Sequence, residues 1–126
     1  MLLPAYMVTP VFSISDYAKA IAFYIGWLGF RIDWEEVRNK QPVYVQVSRG
    51  EVILHLNALP DNVPAGAKAR AEMQGLLAFH HQLARKNQDV RPALVPAYWN
   101  SQVLEMEVVD PFGNRIVFCE FAALPA

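Results

Sequence analysis

The segment Ser15-Asp16-Tyr17-Ala18-Lys19-Ala20-Ile21-Ala22-Phe23-Tyr24, closed by Leu28-Gly29-Phe30, organises the first half of this chain. Tyr17, Ala20, Ile21, Tyr24 and Leu28 recur at spacings of three and four, which predicts a helix with all five on one face. Ser15 or Asp16 can cap its first turn, because a short polar side chain accepts from N–H groups that lack a helical partner. Gly29 is placed to end it. Upstream, Met7 to Ile14 is a short apolar segment with strand character. Downstream lie three further strands. Phe30 to Val37 is rich in bulky residues. Pro42 to Ser48 alternates, with Val43, Val45 and Val47 on one face and Tyr44, Gln46 and Ser48 on the other. Arg49-Gly50-Glu51 reads as a tight turn into the strand Val52 to Asn57.

The order strand, helix, three strands then recurs. Ala67 to Gln74 is a candidate strand, and Gly75 precedes a helix that places Leu76, Phe79, His80 and Leu83 on one face. Val90 to Tyr98, interrupted by Pro92 and Pro96, reads as an irregular edge. Val103 to Val109 and Asn114 to Phe121 are strands joined by the turn Asp110-Pro111-Phe112-Gly113. Shifting the first helix by 59 positions brings Tyr17, Ala20 and Tyr24 onto Leu76, Phe79 and Leu83, a repeat of pattern rather than of identity. We therefore expect one domain with two modules, at about 5–58 and 67–121, joined by a Pro- and Gly-rich linker at about 59–66. Each module covers one sheet face with its helix and leaves the other bare. Two of them side by side make a concave surface suited to a ligand or to a second chain.

Composition narrows the function. With 54% hydrophobic and 18% charged residues the chain is not intrinsically disordered, and 126 residues suffice for one core. Eleven basic and twelve acidic side chains give a net charge of -1, which argues against nucleic-acid partners and against electrostatic membrane anchoring. The start Met1-Leu2-Leu3-Pro4-Ala5 lacks the features of a secretory signal, and no apolar run approaches the ~20 residues of a membrane span. A single cysteine, Cys119, fits a reducing compartment and reads as a small buried residue rather than a nucleophile. A cytoplasmic protein is the expectation.

The helix segment and the tail Val109-Asp110-Pro111-Phe112-Gly113-Asn114-Arg115-Ile116 together resemble the vicinal-oxygen-chelate superfamily, the glyoxalase, bleomycin-resistance and dioxygenase group. The likeness covers nearly the whole chain. Trp34-Glu35, Val43-Tyr44-Val45-Gln46-Val47-Ser48-Arg49 and Leu54-His55-Leu56 are most similar to its bleomycin-resistance branch. The resemblance implies an α+β fold of two paired βαβββ modules, with curved mixed sheets around a cleft. It also implies a homodimer whose partner completes the cleft, which would cover bare sheet faces and edge strands.

Enzymes of that superfamily hold a divalent metal with one His or Glu from each of four strands. The equivalent positions here are Thr9, His55, Lys68 and Val117. A neutral threonine is a poor ligand, a charged lysine offers no lone pair, and valine has no donor. The expectation is no metal, no cofactor and no catalytic residue. The remaining candidates are ligand-binding. Trp34, Tyr44, Tyr98 and Trp99 lie on or beside strands, where flat rings can stack on a planar ligand. Glu105 and Glu107 share a sheet face and would attract a cation if they front a cleft, or pair with Lys68 or Arg70 across the sheet. His55 serves as a pocket residue or as a hydrogen-bonded structural histidine. The function these features favour is non-catalytic binding of a small aromatic ligand, with a cationic one such as a bleomycin-type antibiotic as the named candidate. The competing readings are a metal-dependent lyase or oxygenase, and a cleft filled by a partner chain.

Overall fold

A computed structural model describes residues 5–59, 64–87 and 91–122. The linker residues Pro60, Asp61 and Asn62, and Val90 at the head of the expected edge strand, lie outside the described residues. The first half runs β1 (Val11–Ser13), α1 (Tyr17–Ile21), β2 (Arg31–Arg38), β3 (Gln41–Arg49) and β4 (Val52–Asn57). The second runs β5 (Lys68–Glu72), α2 (Leu76–Lys86), β6 (Leu94–Ala97), β7 (Asn100–Val109) and β8 (Arg115–Phe121). The sheets are ordered β1-β4-β3-β2 and β5-β8-β7-β6. In both, the first strand pairs in parallel with the last and the other pairings are antiparallel. The fold is α+β, with two mixed sheets of matching order.

The helical stripe forms with one departure from the expected period. Asp16 caps α1, its Oδ1 accepting from the Lys19 N–H at 3.0 Å. From Ala22 to Trp27 the helix widens into π geometry, and the Leu28 N–H donates to Phe23 O at 2.9 Å. Gly29 then turns the chain with φ of 80°, a conformation that favours glycine. Tyr24 and Leu28 remain buried, as do Leu76, Phe79 and Leu83 on α2. They share one core with Phe12, Val45, Val47, Leu54 and Leu56 of the first sheet and Met106, Val108, Ile116 and Phe118 of the second. Each such side chain contributes roughly 1.5–3 kcal/mol by leaving water. Beyond the extended edges, β7 starts at Asn100, three residues before the expected Val103, because the chain pairs with Ala97 as soon as it reverses after β6.

A buried polar seam joins the two halves. The Tyr24 hydroxyl donates to Asp110 Oδ2 at 2.7 Å. Asp110 Oδ1 accepts from the N–H groups of Phe112 and Asn114. Asn114 Nδ2 donates to Ser13 O and to Asp110 Oδ2, both at 2.9 Å, while its Oδ1 accepts from the N–H groups of Gly66 and Ala67. Asn114 thus ties β1, the approach to β5 and the hairpin before β8 together. Burial, with the Asp110 carboxylate as hydrogen-bond and charge partner, raises the Tyr24 hydroxyl far above its ordinary range.

Candidate functional site

Period-two alternation decides what each sheet shows on the face away from the core. On the first sheet, Val45, Val47, Leu54 and Leu56 point inward, so Tyr44, Gln46 and His55 point outward. Trp34 stands opposite Gln46, and Gln46 opposite His55. The expected Trp34, Tyr44 and His55 therefore come together. The Trp34 and Tyr44 rings lie 7° from parallel with centroids 6.1 Å apart, and His55 meets both edge-on at 5.3 Å.

The polar atoms on this face close on one another. The Tyr44 hydroxyl lies 2.9 Å from His55 Nδ1, and His55 Nε2 lies 3.0 Å from Gln46 Oε1. An amide oxygen only accepts, so Nε2 carries the proton and Nδ1 receives the Tyr44 hydroxyl. Gln46 Nε2 donates onward to Asp33 Oδ2 at 3.2 Å, and the Ser48 hydroxyl and the Arg31 guanidinium donate to Asp33 Oδ1. Burial lowers the His55 pKa below its usual value and raises that of Tyr44, so both favour their neutral forms. For Asp33, burial opposes the charge, but the Ser48, Gln46 and Arg31 donors outweigh it and hold the carboxyl below its usual range. Alternation alone points to Gln46 and Ser48, which share the Tyr44 face. Nothing in the local sequence points to Asp33, which follows Arg31 on the same face, and the register shift between Ile32 and Trp34 brings Trp34 onto that face as well.

On the second sheet Met106 and Val108 enter the core, which turns Glu105 and Glu107 outward. There they front a cavity of about 730 Å³ that Lys68, Arg70, Tyr98 and Trp99 also line. Both acids are engaged. Arg70 Nη1 donates to Glu105 Oε2 at 2.5 Å. Glu107 stands between two looser cations, Lys68 Nζ at 3.8 Å and Arg115 Nη1 at 3.6 Å. The Arg70 guanidinium also lies 5.4 Å from the Trp99 ring centroid. The hydrogen bond to Glu105 raises the Arg70 pKa and keeps it charged. Trp99 is 50% exposed and Tyr98 99% exposed, both on the turn between β6 and β7. The seven expected ligand residues thus fall into two groups, three on the first sheet and four on the second.

A larger cavity of about 820 Å³ lies elsewhere, between the β3–β4 turn and β5, with Leu54, Ile116 and Phe118 in its wall. It includes none of those seven residues. Half-buried Arg49 reaches it with its guanidinium 3.9 Å from the Phe79 ring centroid. Cys119 is fully buried, and burial pushes its thiol pKa up, which suits packing rather than nucleophilic attack. Among the described residues no three His, Cys, Asp or Glu side chains gather closely enough to hold a metal, and no helix is long and apolar enough to cross a membrane.

A family described as glyoxalase superfamily protein matches residues 4–123. A bleomycin-binding protein solved with bleomycin has a TM-score of 0.72 at 22% identity, over 92% of this chain and 98% of that one. The bleomycin-binding protein of Streptomyces verticillus, solved with copper(II)-bleomycin, has a TM-score of 0.65 at 23% identity, over 93% and 97%. A member of the glyoxalase/bleomycin resistance protein/dioxygenase superfamily from Sphaerobacter thermophilus gives 0.68 at 19%, over 94% and 99%. At these identities the likeness is one of fold. No curated protein matches the chain in sequence.

Proposed function

The chain belongs to the glyoxalase superfamily, and on that premise we propose that it binds and sequesters a small, flat aromatic molecule without changing it, in the manner of the bleomycin-resistance branch. The observation that carries this reading is a division of labour on the two sheet faces. Large rings stand partly bare to solvent, Trp34 at 44% and Trp99 at 50%, while the polar groups beside them are spent on each other. Stacking needs only exposed rings. Acid–base or nucleophilic chemistry needs a group free to meet the substrate, and His55 has both nitrogens engaged.

The donor set does not fit the divalent metal of the superfamily's enzymes. Of the four positions that the family resemblance indicates, Lys68 is a cation beside Glu107, Val117 has no donor atom, Thr9 is a weak neutral oxygen, and His55 offers no free nitrogen. We propose further that the protein acts as a cytoplasmic homodimer, which a mass of two chains in solution would support.

The test is a calorimetric titration with flat aromatic compounds, bleomycin among them, followed by mass spectrometry of the recovered ligand. Binding with the ligand recovered intact is the expected result. A chemically altered ligand, or one equivalent of tightly held Zn, Ni, Mn or Fe that raises turnover, would move the chain to the enzymes.

A further inference from the structure

We infer that the notch where Arg49, Lys86 and Gly29 meet binds a phosphate group, either inorganic phosphate or the end of a phosphate monoester. Alternation turns Arg49 to the side of Val45 and Val47, away from the outward face of its sheet, so this site is separate from the ring-binding faces proposed above. Helical spacing builds one wall of the notch, since Phe79, Gln82 and Lys86 lie three and four apart on α2 and share a face. Arg49, the last residue of β3, reaches that face. Its guanidinium lies 3.9 Å from the Phe79 ring centroid, and its Nη2 donates to Gln82 Oε1 at 3.4 Å. Lys86 reaches back over the end of the first helix, where its Nζ donates to Trp27 O at 2.9 Å. Between the two cations the chain turns at Gly29. The point that a Cβ would occupy there lies 3.6 Å from Lys86 Nζ and 3.9 Å from Arg49 Nε. Two cationic nitrogens thus border one small open space.

No acid answers them. The ion pairs among the described residues engage Arg31, Lys68, Arg70 and Arg115, and neither Arg49 nor Lys86 takes part in one. Glu51 and Glu72 share a cavity wall with Arg49 but form no ion pair with it. Burial lowers the Arg49 pKa with no carboxylate to counter it, and a guanidinium stays charged even so. Donors are left over as well. Lys86 spends one N–H on Trp27 O, and Arg49 Nε has no acceptor among the described residues. Trp27 O and Gln82 are neutral, so two positive charges stand together with nothing to neutralise them. One phosphate group, with a charge of about −1.5 to −2 at neutral pH, answers both cations and the spare donors at once, whereas a carboxylate leaves one charge over. Glycine at position 29 keeps the approach clear, because a side chain there would enter the same space and would have to adopt a φ of 80°.

The test is an NMR titration of the protein with inorganic phosphate, phenyl phosphate, sulfate and acetate at matched ionic strength, read at the Gly29 amide and at Arg49 Nε. We expect phosphate and sulfate to move both signals and to bind roughly fivefold more tightly than acetate, on the scale of one further partly exposed charge pair. Lowering the pH from about 7.5 to about 5.5 should weaken phosphate several-fold, because its second proton returns near pH 6, while sulfate stays a dianion throughout. Lys86→Gln and Arg49→Gln should each weaken phosphate roughly fivefold. Lys86 is exposed, so its variant keeps the test open even if Arg49→Gln fails to fold. Phosphate should also raise the midpoint of thermal unfolding, and less so in Lys86→Gln. Phenyl phosphate that matches inorganic phosphate would assign the site to esters, and its exclusion would assign the site to the free ion. Phosphate that binds no more tightly than acetate, that shifts signals only elsewhere, or that binds Lys86→Gln undiminished would overturn the inference. In that case the two cations serve only the helix end and the Phe79 ring, and the ring-binding role of the outward faces is untouched.

Discussion

The two sheets have the same strand order but use their outward faces in opposite ways. The first gathers its polar atoms into a closed chain, Tyr44 to His55 to Gln46 to Asp33, and keeps both its histidine and its tyrosine neutral. The second leaves charge at the surface, with one tight ion pair and two loose ones around a rim of exposed rings. The difference does not come from the backbone. It comes from which residues occupy the outward half of the alternation, and a repeated fold can therefore carry a hydrogen-bonded aromatic face on one sheet and an ionic one on the other.

The widest-reaching way to break the comparison is to cut what holds the faces in register. Asn114→Ala removes the donor to Ser13 O and to Asp110, and the acceptor for the N–H groups of Gly66 and Ala67, at a site that is 1% exposed. The Gly66 and Ala67 N–H groups lose a part-buried acceptor and buried Asp110 loses one of its donors while keeping the Tyr24 hydroxyl. We expect a loss of about 2–3 kcal/mol in urea unfolding. A loss below about 1 kcal/mol would mean that the halves stay aligned by apolar packing alone.

Much of the fold was legible because its signals are periodic. The Tyr17, Ala20 and Tyr24 stripe and its counterpart Leu76, Phe79 and Leu83 needed only helical spacing, and the order of strands followed from turns and alternation. The π-helical stretch from Ala22 to Trp27 was not legible, since an inserted residue leaves the buried positions Tyr24 and Leu28 four apart as before. At the site, alternation placed Tyr44, Glu105 and Glu107 outward and left open whether the acids meet a ligand or Lys68 and Arg70. Only the register across β5, β8 and β7 brings those cations, and Arg115, to the acids. Asp110 reads as a turn residue and Asn114 as the start of a strand, and their seam with Tyr24 joins positions 86 residues apart.

A smaller effect sharpens the contrast by pH. Burial depresses the folded-state His55 pKa below 6.5, whereas the unfolded chain protonates near that value. Its contribution to stability is thus complete above pH 6.5 and is lost as pH falls toward the folded pKa. Protonation at Nδ1 also evicts the Tyr44 hydroxyl from its acceptor. Nitrogen NMR should show His55 as the Nε2–H tautomer, titrating below 6.5, and His55→Gln should flatten the stability profile between about pH 7 and 5. A His55 that titrates above 6.5 would show that the first face is not the closed, neutral wall described here. The second sheet's face has no histidine and should add nothing in that range.

The smallest effect on stability belongs to the cations of the second face, and its smallness is what the comparison requires. Lys68 and Arg115 sit more than 3.5 Å from Glu107, and their side chains are over half exposed. Water competes for both partners, and holding two long side chains in place costs rotamer freedom. Lys68→Gln and Arg115→Gln should each change unfolding stability by less than ~0.5 kcal/mol. Residues so nearly free of structural duty are available to a ligand, whereas those of the closed chain on the first sheet are not. If either substitution instead cost ~2 kcal/mol, the ion pairs would be holding the sheet together, and the two faces would differ in composition but not in role.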